Sequence, residues 1–185
     1  MAIVYLNPNA TITNTNWDSS NLSELAQGET SNTWQTTANN ADLVVTLDDF
    51  DNTGVSSIDS VQIILVGNFD ARSGFWTAST TIADSSSSAY YNQLLTVTAG
   101  RTASTLSGII RTTSDGSAAW TDSDLDGMRI RVTSINCLDK GQLVQFYVKV
   151  TYTEGYGNSV NGIAAGSIGK INGIAVADIS KVKGI

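Results

Sequence analysis

From Leu143 to Thr153 apolar and polar residues alternate almost without a break. Val144, Phe146, Val148, Val150 and Tyr152 share one face, and Gln145, Tyr147, Lys149 and Thr151 share the other. A two-residue period is the mark of a half-buried β-strand, because successive side chains of extended backbone point to opposite sides. The same period runs from Met128 to Ile135, with Met128, Ile130 and Val132 inward and Arg129, Arg131 and Thr133 outward. It recurs at Leu43, Val45 and Leu47 before the Asp48-Asp49 break. Val61 to Val66 is apolar apart from Gln62, which predicts a strand buried on both faces near the middle of a sheet. Shorter strands are expected at Ile3 to Leu6, Thr11 to Thr15, Ser79 to Ala83, Gln93 to Thr98 and Leu106 to Arg111.

No long stretch has helical spacing, Ser and Thr are abundant, and Pro8 is the only proline. That composition favours strands joined by polar turns. Short helical turns are expected at Ser20 to Ala26, where Asn21 offers a cap with Glu24 three positions on, and at Asp122 to Asp126, capped by Thr121 or Asp122. Eight or more short strands separated by Gly, Asn, Asp and Ser clusters predict an all-β fold, a jelly-roll-like antiparallel β-sandwich over residues 1–154. With 185 residues, of which 41% are hydrophobic, the chain suffices for one core and an appendage. Ser85 to Ser88 reads as a surface loop tip.

The appendage is residues 155–185, after a linker marked by Gly155, Gly157 and Asn158. Val160-Asn161-Gly162-Ile163-Ala164 returns eleven residues later as Ile171-Asn172-Gly173-Ile174-Ala175 and begins again at Val182-Lys183-Gly184-Ile185, while Ile168 and Lys170 answer Ile179 and Lys181. Asn-Gly is a strong tight-turn signal, since both residues tolerate positive φ. Each unit therefore reads as strand, turn, strand. Units this short bury no face alone and become stable on neighbours. Val160, Ile163, Ile168, Ile171, Ile174, Ile179, Val182 and Ile185 are the expected anchors of an assembly tail. Three such tails wind into a β-structured stalk, or one lies across a neighbouring subunit's sheet edge. Each fully buried Ile contributes about 1.5–3 kcal/mol, less the entropy of ordering a glycine-rich segment, so several must bind together.

Ten basic against seventeen acidic residues give a net charge of −7, which disfavours nucleic acid and anionic membrane as partners. Histidine is absent, which removes the commonest general base, the usual transition-metal ligand and the Ser-His and Cys-His nucleophile pairs. The expectation is a chain that is not an enzyme and has no catalytic residues. A lone thiol, Cys137, cannot form an intrachain disulfide and reads as a buried structural cysteine. Residues 1–8 lack a basic segment followed by a long apolar run, and no stretch approaches a membrane span, so the chain is expected to be made in the cytosol and to stay soluble.

Two constellations carry chemistry. Asp122-Ser123-Asp124-Leu125-Asp126-Gly127 reproduces the first half of an EF-hand loop, making Asp122, Asp124 and Asp126 a candidate calcium set and calcium the one cofactor to consider. Its twelfth position falls on Thr133, inside a strand, and the competing reading is a capped turn. Asp48, Asp49 and Asp51 form a second acidic turn. Among Trp17, Trp34, Trp76, Trp120, Tyr90 and Tyr91, the sequences Gly74-Phe75-Trp76 and Ala89-Tyr90-Tyr91 lie near polar loops. Phe75, Trp76, Tyr90 and Tyr91 are thus the candidate carbohydrate contacts, against core packing as the alternative. Paired carboxylates would suit glycoside hydrolysis, but sequence sets no two of them opposite each other.

The stretch Ala119-Trp120-Thr121-Asp122-Ser123-Asp124-Leu125-Asp126-Gly127-Met128-Arg129-Ile130-Arg131-Val132, followed by the Val144 to Tyr152 strand, resembles the segment before the closing strands of β-sandwich proteins in tailed-bacteriophage virions. The tail built on Lys170-Ile171-Asn172-Gly173-Ile174-Ala175 is similar to Asn-Gly repeats near the ends of phage capsid-associated and tail-associated proteins. These stretches cover well under half the chain, and the resemblance implies a virion component with no catalytic residues. Two functions follow as expectations. One is a capsid decoration or cement protein on the capsid exterior, homo-oligomeric with a trimer favoured, bridging major capsid protein or other virion proteins. The other is a tail or head fibre module that binds host polysaccharide. A polysaccharide depolymerase is disfavoured because such enzymes need a larger scaffold.

Overall fold

The computed structural model describes residues 1–19, 21–28, 34–36, 40–69, 75–83, 89–98, 100–114, 118–135, 141–155, 170–171 and 174–175. Cys137, Ser85 to Ser88 and most of the repeat lie outside these residues. The strands are β1 (Ala2–Leu6), β2 (Pro8–Thr15), β3 (Trp34–Thr36), β4 (Asp42–Leu47), β5 (Val55–Phe69), β6 (Phe75–Ala83), β7 (Ala89–Thr98), β8 (Gly100–Ser107), β9 (Arg129–Ile135), β10 (Gly141–Glu154), β11 (Lys170–Ile171) and β12 (Ile174–Ala175).

One sheet has the order β1-β10-β5-β8, with β3 also on β10, and the other has the order β2-β4-β9-β6-β7. Every pairing is antiparallel. If β1 and β4–β10 are counted as eight strands in chain order, the first sheet reads first, eighth, third, sixth and the second reads second, seventh, fourth, fifth. That is the interleaved order of a jelly roll, so the sandwich is of the expected type. β2 is an added outer strand beside β4. Its first residue, Pro8, sits where a missing N–H does least harm, at the start of an edge strand. The chain changes sheets at Asn7, whose N–H donates to Asp48 Oδ2 (3.2 Å) and whose carbonyl accepts from the Asp48 N–H (2.9 Å).

The inner faces meet in one core. Leu6, Val61, Ile63, Leu65, Phe146, Val148 and Val150 from the first sheet lie in the same cluster as Leu43, Val45, Ala78, Ile82, Ile130 and Val132 from the second. Strand registers carry these residues side by side: Leu6 faces Val148, which faces Ile63. Trp17 and Trp120 join the core, so these two aromatics are packing residues.

Four expectations need amendment. The strand predicted from Leu143 begins at Gly141 and is buried on both faces through Val148, because β10 has neighbours along both edges whose side chains shelter its outer face. Tyr147 packs edge-on against Tyr5 of β1 (centroids 5.6 Å apart) and is flanked by Ile64 of β5. The register with β5 also slips between Leu143 and Gln145. This bulge puts two residues opposite one and brings Leu143, not Val144, into the core cluster. The helix expected at Ser20 to Ala26 is a 3₁₀ turn, Leu22–Leu25, and Asn21 makes no side-chain cap bond. Its Glu24 instead accepts from the Ser19 hydroxyl (2.9 Å). The strand expected at Leu106 to Arg111 ends at Ser107, beyond which Arg111 makes a single bridge to Val61.

Candidate functional site

The segment from Trp120 to Gly127 forms the helical turn α1 (Asp122–Asp126), as one reading of the sequence expected, with Thr121 as its cap. The Thr121 hydroxyl accepts from the Asp124 N–H (3.3 Å), and Asp124 Oδ2 accepts from the Thr121 N–H (2.8 Å), a reciprocal capping box. Leu125 is buried beneath the turn, and the indole N–H of Trp120 donates to the Arg111 carbonyl (3.0 Å). The three candidate calcium ligands accept from different partners. Asp124 is used by the cap, Asp126 Oδ1 accepts from the Phe50 N–H (3.1 Å), and Asp122 accepts from the Asn52 amide. Among the described residues no three His, Cys, Asp or Glu side chains gather into a metal-holding group.

The second acidic turn lies alongside. Asp51 Oδ1 accepts from the Thr53 N–H (2.9 Å), and Gly54 takes φ 76°, which the turn from Asn52 to Val55 requires. Hydrogen bonds from Thr53, the side chain first and the backbone second, hold the Asp51 carboxyl below its ordinary pKa. The two acidic segments flank a shallow depression of about 240 Å³ lined by Val55, Ser56, Ser57, Ile58, Trp120, Thr121 and Asp122. It is smaller than most cavities that enclose a ligand, which start at roughly 300 Å³. The chain passes this end of the sandwich as it leaves β10, where the Gly155 N–H donates to the Gly54 carbonyl (2.6 Å).

The four candidate carbohydrate contacts fall on one hairpin but not at one place. Trp76 lies opposite Val97 and Phe75 opposite Thr98, whereas Tyr91 lies opposite Ile82. Six residues of β6 therefore separate the two aromatic pairs, roughly 20 Å along a strand, which is too far for one sugar ring to touch both.

Of the tail anchors, Ile171 and Ile174 lie within the described residues. They face each other in the antiparallel pair β11–β12, across Asn172-Gly173, as the turn signal predicts. Among the described residues this pair is a sheet of its own, joined to neither sheet of the sandwich. Val160, Ile163, Ile168, Ile179, Val182 and Ile185 lie outside the described residues.

One surface went unread in the sequence. Among the described residues strand β1 forms an edge of its sheet and exposes Ile3 (50%) and Tyr5 (39%), with Met1 beside them at 94%. Tyr147 continues this face inward, and its phenol pKa is raised, by burial first and by Tyr5 second. The signal was present in Ala2-Ile3-Val4-Tyr5-Leu6, five residues with no charge to guard an edge strand. No protein-family model matches the chain, and no curated protein matches it in sequence.

Proposed function

We propose that this chain is a non-enzymatic structural protein of a bacteriophage virion, a decoration or cement protein that binds the outer capsid shell and stabilises it through contacts between subunits. The observation that carries the reading is the eleven-residue repeat itself, together with the pairing of the part of it that lies within the described residues. Among the described residues, the Ile171–Ile174 ladder is joined to neither sheet of the sandwich. A two-stranded hairpin by itself is marginal in water, so a ladder of two residues per strand needs a partner surface to be worth keeping. The jelly roll supports the reading more weakly, since the same architecture serves viral capsids, lectins and cupins.

Cementing requires many modest contacts, and a repeated Ile-containing unit supplies them in series. The test is reconstitution of shells lacking this protein with the full chain and with a chain lacking residues 156–185. Occupancy is read by electron microscopy and shell stability by thermal melting. The full chain is expected to decorate the shells and raise their melting temperature, and the truncated chain to do neither. A truncated chain that decorates at normal occupancy overturns the role given to the tail. A full chain that leaves shells bare overturns the cement reading.

A further inference from the structure

We infer that the open edge of β1 is a strand-addition site and that its occupant is the repeat tail of a second copy of this chain. The inference rests on the assembly reading above and gives it a seat and a partner.

Among the described residues, the sheet edges differ in how they are defended. β2 begins with Pro8 and has two register shifts against β4. The ladders that carry β7 and β8 each contain a shift, at Ile82/Ala83 and at Gly67/Phe69, and β3 is three residues long. Prolines, bulges and shortness are the usual devices that stop an edge from pairing with another chain. β1 has none of them. Its register with β10 is unbroken from Ala2 to Leu6, it carries no charge of its own, and its outward side chains, Ile3 and Tyr5, are half-exposed apolar groups opposite Thr151 and Lys149 of β10, with Tyr147 packed on Tyr5. An added strand gains main-chain hydrogen bonds along β1 and an apolar shelf for alternate side chains.

Three observations select the tail as occupant. The one part of the repeat within the described residues pairs as antiparallel strands with Ile171 opposite Ile174, and that pair adjoins no other strand among the described residues. Its charge is complementary. Residues 1–155 hold seven basic and sixteen acidic side chains, a net −9, whereas residues 156–185 hold Lys170, Lys181 and Lys183 against Asp178, a net +2. A stalk of tails would gather like charge, whereas a tail on a sandwich brings opposite charges together. The direction of the chain then favours a second copy over the tail's own sandwich. β10 is antiparallel to β1 and its last turns lie beside Ala2, with Tyr152 opposite. A tail folding straight back onto its own β1 meets that strand first in the parallel sense, whereas a neighbour's tail can meet it antiparallel with its first strand. Each copy giving its tail to the next is a heterologous contact, which forms a ring where the rotation between copies closes and a filament where it does not.

The test is complementation between two full-length variants, read by light scattering. Ile3→Lys with Tyr5→Lys puts charges of the tail's own sign on the edge and leaves the tail intact. Ile171→Asp with Ile174→Asp spoils the repeat and leaves the edge intact. Circular dichroism and the urea midpoint check that each variant is folded. The wild-type chain is expected at a discrete multiple of 19.5 kDa, each variant alone at the monomer mass, and their mixture at a one-to-one pair that grows no further, because it contains one good edge and one good tail. Hydrogen exchange across residues 1–6 of the unaltered chain supplies a readout free of substitutions, with protection expected to rise with protein concentration.

If the edge variant keeps the wild-type mass, the tail seats elsewhere, as in a stalk, and the inference fails while assembly through the tail stands. A mixture that stays monomeric also overturns it. So does a wild-type chain that is monomeric at every concentration, and in that case the shell reconstitution separately decides the cement reading. Protection of residues 1–6 that is strong and independent of concentration means the tail binds its own sandwich and excludes the second copy.

Discussion

At the scale of single residues, the α1 turn separates two kinds of contribution that sequence presents together. Thr121 supplies a hydroxyl to a backbone donor at an exposed cap, and Leu125 supplies an apolar side chain that is 1% exposed. Cap deletions cost about 1 kcal/mol, whereas Leu→Ala in a packed core costs about 2–5 kcal/mol, because a cavity adds to the lost transfer energy. Thr121→Ala is therefore expected to lower the urea-unfolding free energy modestly, and Leu125→Ala to lower it at least twofold more. Equal losses would mean that Leu125 does not anchor the turn. The Asp42–Arg131 pair is a milder case. Two bonds, at 2.6 and 2.9 Å, join the groups and are the main reason the Arg131 pKa is raised. With the arginine side chain 51% exposed, solvent screening leaves the pair worth less than about 1 kcal/mol.

At the scale of elements, β10 decides most. It pairs with β1, β3 and β5, so a cavity beneath it loosens three strands at once. Phe146, fully buried, sits beside Leu65. Phe146→Ala is expected to cost about 3–5 kcal/mol in chemical denaturation, a large fraction of the roughly 5–15 kcal/mol that holds an ordinary domain folded. The tail depends on a different feature, the Asn172-Gly173 pair between β11 and β12. Replacing both residues with Ala removes the pair that best tolerates positive φ. This change is expected to leave the urea midpoint of the sandwich unchanged while reducing self-association in sedimentation. A shifted midpoint would show that the repeat also supports the sandwich.

At the scale of the whole molecule, the division of charge gives association an electrostatic component. Raising salt from 50 to 500 mM is expected to weaken self-association several-fold while the melting temperature of the sandwich barely moves, because exposed charges beyond a Debye length are screened and the apolar core is not. Association that strengthens with salt would mean that apolar contact alone drives it.

The strands around Leu43, Ile130, Val61 and Phe146 and the α1 cap were legible in the sequence because period-2 alternation and capping chemistry are local: each is set by residues a few positions apart. The all-β class and the antiparallel pairing of Ile171 with Ile174 followed on the same grounds. Only tertiary structure decided the interleaved strand order, the bulge that exchanges Val144 for Leu143 in the core, and the burial of Tyr147 against Tyr5, since these depend on which strands become neighbours. It likewise set the Trp76 and Tyr91 pairs at opposite ends of a hairpin and pointed Asp124 and Asp126 at different partners. It left β1 an undefended edge, because whether a strand has one neighbour or two depends on chain topology, and no local window of residues contains that information.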